Sequence, residues 1–228
     1  PATVAAFRER TGHAILERYG MSETGMITTN PLEGPRVPGS VGPPLEGVDV
    51  RVCDDAGGAC AAGEVGVLEV RGPNVFSGYW RLPDATASGF RDGGWFVTGD
   101  LARIDERGFV HLVGRAKDLV ITGGLNVHPK EVEAVLDAHP GVAESAVFGV
   151  PDADFGEAVT AAVVPAPGGP APAPDELAAF ARERIAGFKV PKRIVLVDVL
   201  PRNAMGKVQK NALRERFGLP SDGERASR

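Results

Sequence analysis

Between Gly39 and Val113, apolar and polar residues alternate in short bursts, and turns rich in Asp and Gly separate them. Val48 to Val52 reads VDVRV, Val65 to Val70 reads VGVLEV, and Phe109 to Val113 reads FVHLV. A period of two puts successive side chains on opposite faces of a strand. Asp54 to Gly58, Asp92 to Gly94 and Asp105 to Gly108 provide residues that turn tightly at low cost. Short strands punctuated in this way predict a small barrel or sandwich.

The pattern changes at Gly114 to Asp118 (GRAKD). Beyond it, Leu119 to Thr122, Val142 to Val150, Ala158 to Val164 and Arg193 to Val199 read as strands. Pro129 opens a helix to about Ala138, proline being favoured at a first helical position. Asp175 is expected to cap a helix to Ala186, and a further helix is expected from Val208 to Phe217. Pro165 to Pro174 is too rich in proline for regular structure. Upstream, residues 2–10 read as the end of a helix. Ala14 to Tyr19 reads as a strand stopping at Gly20, where a polar loop would sit at the carboxyl edge of a sheet. The first 20 or so residues resemble the tail of an α/β unit whose earlier strands are absent. The expected fold is therefore an α/β multidomain fragment. Residues 1–115 form the β-rich, barrel-like end of a large domain, and residues 116–228 form a compact α+β domain.

Composition narrows the function. With 43% hydrophobic and 24% charged residues, the 228-residue chain falls in the range of soluble globular proteins. It has no apolar run of about 18 residues and no basic-then-apolar leader, so neither a membrane span nor a secretory signal is expected. A net charge of −5 argues against general nucleic-acid binding. Cys53 and Cys60 flank one turn and read as free thiols of a reducing, cytoplasmic setting. His13, His111, His128 and His139 show no metal-ligand spacing. Walker-type phosphate loops, nucleophile elbows and dinucleotide fingerprints are missing.

Four features suit chemistry on a nucleotide. Lys207 lies at the tip of Pro201 to Lys207 (PRNAMGK), a turn bounded by proline and glycine. Glu23 lies in a glycine-bounded loop and could hold Mg²⁺ with phosphate oxygens. Asp100, in Thr98-Gly99-Asp100 after a strand, could accept both hydroxyls of a ribose. Arg115, like Lys207, could neutralise phosphate charge.

The order and wording of the segments resemble the C-terminal half of adenylate-forming enzymes: acyl-CoA synthetases, luciferases and peptide adenylation domains. The segments are Tyr19 to Gly25 (YGMSETG), Gly39 to Pro43 (GSVGP), Gly63 to Gly72 (GEVGVLEVRG), Gly78-Tyr79-Trp80 and Trp95 to Asp100 (WFVTGD). They continue through Gly114 to Asp118, Gly123 to Glu133 (GGLNVHPKEVE) and Pro201 to Lys207. Phrases such as RVPGSVGPPL and LPRNAMGKVQKN are most similar to malonyl-CoA synthetases.

The resemblance implies an ATP-dependent reaction in two steps. A carboxylate, here a dicarboxylic acid, attacks the α-phosphate to give an acyl-adenylate, and coenzyme A then displaces AMP. Carried over, Tyr19, Gly20 and Met21 would line the nucleotide, with Tyr19 against adenine. Ser22 would touch the α-phosphate where the family usually has threonine, and Glu23 would hold Mg²⁺. Asp100 would bind ribose, with Arg115 nearby. Lys207 would bridge carboxylate and phosphate during the first step. Lys117 and Asp118 would form the hinge, and Gly123, Gly124 and Leu125 would line the coenzyme A channel. Met26 and Arg36 are candidates for the acyl pocket. Lys207 would also be a target for a lysine acyltransferase and deacylase. Two other readings stand beside this one. One is an adenylation enzyme for another carboxylic acid or a carrier-loading adenylation domain, the latter disfavoured because about eleven residues, Gly218 to Arg228, follow the last expected helix. The other is a non-catalytic nucleotide-binding fragment, since the family's upstream phosphate loop is missing.

Overall fold

A computed structural model describes residues 2–54 and 56–218. It divides the chain into two compact units, 1–116 and 117–228.

The first unit opens with helix α1 (Ala2–Thr11) and an antiparallel hairpin of β1 (Arg18–Met21) and β2 (Gly25–Thr29). Two of the expectations change here. Strand β1 begins at Arg18 rather than Ala14 and runs through Gly20. Tyr19 to Gly25 is therefore a hairpin tip, not a loop beyond a sheet's carboxyl edge. The tight pairing explains Gly20: a Cβ there would lie 2.1 Å from the Gly25 carbonyl oxygen.

The alternating runs fold as β3 (Asp49–Cys53), β4 (Gly66–Arg71), helix α2 (Pro83–Ser88), β5 (Phe90–Arg91), β6 (Trp95–Ile104) and β7 (Val110–Arg115). The strands form one sheet in the order β3-β4-β6-β5, with β7 also paired to β6. Its pairings are antiparallel, and no closed barrel is formed among the described residues. Val52, Leu68, Ala102 and Val110 fill one cluster, and Ile27, Val48 and Val70 fill another. The Tyr19 ring packs against both, which fastens the hairpin to the sheet. Cys53 and Cys60 are free thiols flanking the turn whose Asp55 lies outside the described residues.

The turn before β7 has a titratable clasp. His111 Nε2 lies 3.1 Å from Asp105 Oδ2, and the amides of Arg107 and Phe109 donate to Asp105 Oδ1. The His111 bond, then these amides, lower the Asp105 carboxyl to about 2 from its ordinary 3.8. A lowered carboxyl contributes stability that is complete above the ordinary value and is lost as pH falls towards the folded one. Asp105→Asn is therefore expected to flatten the acid limb between about pH 4 and 2. Urea midpoints measured across that window would check this.

The second unit begins with a 3-10 turn at Ala116–Asp118 on the boundary, then β8 (Val120–Thr122), β9 (Leu125–Val127) and α3 (Pro129–Leu136). Next come β10 (Val142–Asp152), β11 (Gly156–Pro165), α4 (Pro174–Arg182), β12 (Arg193–Leu196) and α5 (Lys210–Phe217). The sheet order is β10-β11-β8-β9, with β12 parallel to β11. Helix α4 corrects another expectation: Pro174 starts it, Asp175 lies in its first turn, and it ends at Arg182. Asp175 is thus not its cap. The tail beyond Gly218 lies outside the described residues.

Strands β10 and β11 read as nearly continuous apolar runs because both sheet faces are covered. Val147 points into a cluster with Leu136 of α3 and Leu177 of α4. Its neighbours Ala146 and Phe148 point the other way, to Leu200 and Leu213 of α5. No helix among the described residues is long and apolar enough to cross a membrane.

Candidate functional site

In the first unit, three of the nucleotide candidates meet on one carboxylate. Asp100 is opposite Arg115 in the β6–β7 register, and Arg115 Nε lies 2.8 Å from Asp100 Oδ1. Tyr19 Oη donates to Asp100 Oδ2 at 2.5 Å. Asp100 is only 5% exposed. Burial, then the bond to Asp100, push the Tyr19 hydroxyl far above its ordinary value, so it remains a donor throughout the working pH range. An ionised carboxylate has about four acceptor positions. Tyr19 and Arg115 occupy two of them, so Asp100 retains acceptor capacity for hydroxyls. Asp100 lies inside the ten-residue strand β6 rather than after a strand.

Glu23 occupies the tip of the same hairpin. Tyr79 Oη donates to Glu23 Oε1 at 3.0 Å, and the Phe76 amide donates to the Glu23 carbonyl at 2.8 Å. Asn74 Nδ2 donates to the Thr24 and Met26 carbonyls, at 2.8 and 3.2 Å. Burial, then Glu23, raise the Tyr79 hydroxyl. Tyr79 and Asn74 thus hold the acidic tip, yet neither stood out as a site residue in the sequence. The usable signal was the Gly78-Tyr79-Trp80 phrase, whose aromatic reaches back 56 positions. No group of three or more metal-ligating side chains occurs among the described residues. A Mg²⁺ at Glu23 would therefore rely on phosphate oxygens and water, a ligand set this ion accepts.

Ser22 is exposed beside Glu23, and Met21 is half-buried. Met26 is 41% exposed. The Arg36 guanidinium donates to the carbonyls of Ala14, Leu32 and Pro31, at 2.8, 2.9 and 3.3 Å. It borders a cavity of about 1020 Å³ lined by Val4, Ile15 and Leu32 among others. These carbonyls engage all three guanidinium nitrogens.

In the second unit, Lys207 is exposed on its turn, where Gly206 adopts φ +78°. Asp118 Oδ1 lies 3.2 Å from Arg214 of α5, which ties the residue after Lys117 to the last helix. Gly123 and Gly124 form the two-residue turn between β8 and β9, with φ +57° and +77°. Both positive angles match the hairpin turn that glycine pairs favour. Leu125 beside them is 47% exposed.

Comparison with known proteins places these residues in context. Residues 1–80 match the AMP-binding enzyme family, and residues 131–207 match the AMP-binding enzyme C-terminal domain. A feruloyl-CoA synthase of Amycolatopsis sp is 44% identical over 220 residues, covering 96% of this chain and 44% of that protein. A malonate–CoA ligase of Arabidopsis thaliana is 40% identical over 215 residues, covering 90% of this chain and 35% of that protein. The crystal structure of ATP-bound MatB from Rhodopseudomonas palustris superposes with a TM-score of 0.92 at 56% identity, covering 95% of this chain and 43% of that one. The chain thus spans less than half the length of these relatives.

Proposed function

Because the chain belongs to the AMP-binding enzyme family, we propose that it forms the C-terminal part of an ATP-dependent, AMP-forming acid–thiol ligase. In this reading the acid is malonate and the acceptor is coenzyme A. The observation that carries the nucleotide site is the convergence of Tyr19 and Arg115 on the buried carboxylate of Asp100. Asp100 takes the ribose hydroxyls, Arg115 holds its carboxylate in place, and Tyr19 with Gly20 and Met21 forms the wall beside the base. Ser22 supplies a hydroxyl to the α-phosphate. Glu23, oriented by Tyr79, holds Mg²⁺, which would screen phosphate charge.

Lys207 belongs to the first step. Its ammonium stabilises charge that develops as the acid's carboxylate attacks the α-phosphate and pyrophosphate leaves. Gly123, Gly124 and Leu125 belong to the second step, in which the thiol attacks the acyl carbonyl and AMP leaves. These are two separate turns of the second unit, so rotation at Lys117 and Asp118 could exchange them. Acylation of Lys207 would remove its charge and stop the first step. A cytoplasmic setting suits these substrates. The malonate assignment rests on the framework phrases and on the malonate–CoA ligase relative of Arabidopsis thaliana. The feruloyl relative shows why the acid needs its own test.

That test is release of AMP by the full-length protein with ATP, coenzyme A and malonate, methylmalonate, acetate or ferulate. The highest kcat/KM is expected for malonate, and a preference for ferulate would overturn the assignment. Asp100→Ala should weaken ATP binding. One charge-assisted hydrogen bond contributes roughly 1.5–3 kcal/mol, so calorimetry should show Kd rising about tenfold to a hundredfold.

A further inference from the structure

A catalytic ammonium must be aimed, and the residues on either side of Lys207 in its turn are exposed or half-buried. Internal bonds give the turn its shape. The Asn203 amide donates to the Lys207 carbonyl and the Gly206 amide to the Asn203 carbonyl, both at 2.9 Å. Asn203 Oδ1 accepts from the amides of Met205 and Lys207, at 3.0 and 2.9 Å. None of these bonds fixes how the turn is oriented on its unit.

Leu200 and Val208 anchor the two stems of the turn in the cluster around Phe148 and Leu213, and two ion pairs brace it, one on each side of the lysine. Arg202 Nη1 donates to the Gly206 carbonyl at 2.7 Å, while Nη2 of the same guanidinium pairs with Glu144 of β10. One planar fork thus links the turn to the sheet. On the far side, Lys210 Nζ lies 2.6 Å from Glu133 Oε1 of α3, and that oxygen also accepts the Val147 amide at 2.9 Å. The Lys210 and Glu133 side chains are only 17% and 15% exposed. The register of β10 on β11 shifts between Val142 and Glu144, immediately before the carboxylate, and breaks in a ladder such as bulges re-aim neighbouring side chains. We propose that Arg202–Glu144 and Lys210–Glu133 form a two-point ionic clamp that aims Lys207, with Arg202 and Lys210 acting as positioning residues. The proposal rests on the assignment of Lys207 to the first step.

The experiment uses the full-length protein and five variants: Glu144→Gln, Arg202→Ala, Arg202→Lys, Lys210→Met and Lys207→Ala. Amide hydrogen exchange at Met205 and Lys207 is expected to accelerate at least about tenfold in Glu144→Gln, Arg202→Ala and Lys210→Met, as local bonds open more readily. The amides of β10 and β11 should stay protected, which verifies the fold. Pyrophosphate release with malonate as probe should lose about tenfold to a hundredfold in kcat, the scale of a small misplacement, with KM for ATP unchanged. Thioester formation from supplied malonyl-adenylate should be unaffected. Arg202→Lys keeps the charge but cannot span both acceptors, so it should recover little, and full recovery would overturn the role of the fork. Equal losses in both half-reactions would reduce the clamp to a structural feature and overturn the proposal. Lys207→Ala separates the two possible failures. If it leaves pyrophosphate release intact, the assignment of Lys207 fails. If it abolishes release while Glu144→Gln and Arg202→Ala, or Lys210→Met, change nothing, the two-point clamp alone fails.

Discussion

Lys207→Ala in the full-length protein is expected to slow pyrophosphate release by about 10²–10³, the usual consequence of removing one preorganised charge donor from a transition state. The lysine is exposed on its turn, and the two carboxylates that pair with cations flanking it are already engaged: Glu144 by Arg202 and Glu133 by Lys210. Among the described residues its ammonium is in none of the ion pairs of the second unit. The loss should fall mainly on kcat, because the charge it meets develops only as the carboxylate attacks. Lys207→Gln, which like acylation removes the charge, should lose about as much. A Lys207→Ala variant retaining more than a tenth of the parent rate would contradict this electrostatic role.

Phe148→Ala is expected to cost the second unit ~3–5 kcal/mol, the range for truncating a fully buried aromatic. Phe148 is 0% exposed and lies against Ala146, Val150, Ala162, Leu200 and Leu213, with the Phe217 ring stacked at 6.5 Å. Alanine cannot fill that space, and collapse is limited because all the neighbours but Leu200 sit on two strands and a helix held by their own hydrogen bonds. Leu200 directly precedes Pro201, so the cavity would open beneath the Lys207 turn. Denaturant midpoints, with the slope checked for two-state behaviour, measure this loss. A cost below about 1 kcal/mol would show that the site collapses freely.

Elements that depend on local chemistry could be read from the sequence. The alternation at Val48 to Val52 became β3 shifted by one residue, and Pro129 opened α3 as expected. What tertiary pairing decides was misread. Thr98-Gly99-Asp100 resembles a turn, and Gly99 does adopt φ +71°. Yet β6 continues through it, because Val97 pairs with Glu69 of β4 and Asp100 with Arg115 of β7. The polar Tyr19 to Gly25 segment gave no sign of hairpin pairing, since Gly20 at a close approach and Gly20 at a loop start look alike. The partners of the site residues were hidden for a different reason. Tyr79 finds Glu23 across 56 positions and Arg202 finds Glu144 across 58, separations at which sequence periodicity carries no signal.

The most direct test of the central claim is thioester formation by the Lys207→Ala full-length protein supplied with malonyl-adenylate and coenzyme A. If the lysine serves only phosphoester formation, this half-reaction should run within about twofold of the parent while pyrophosphate release from ATP is lost. Loss of both half-reactions to the same extent would contradict the assignment of Lys207 to a single step.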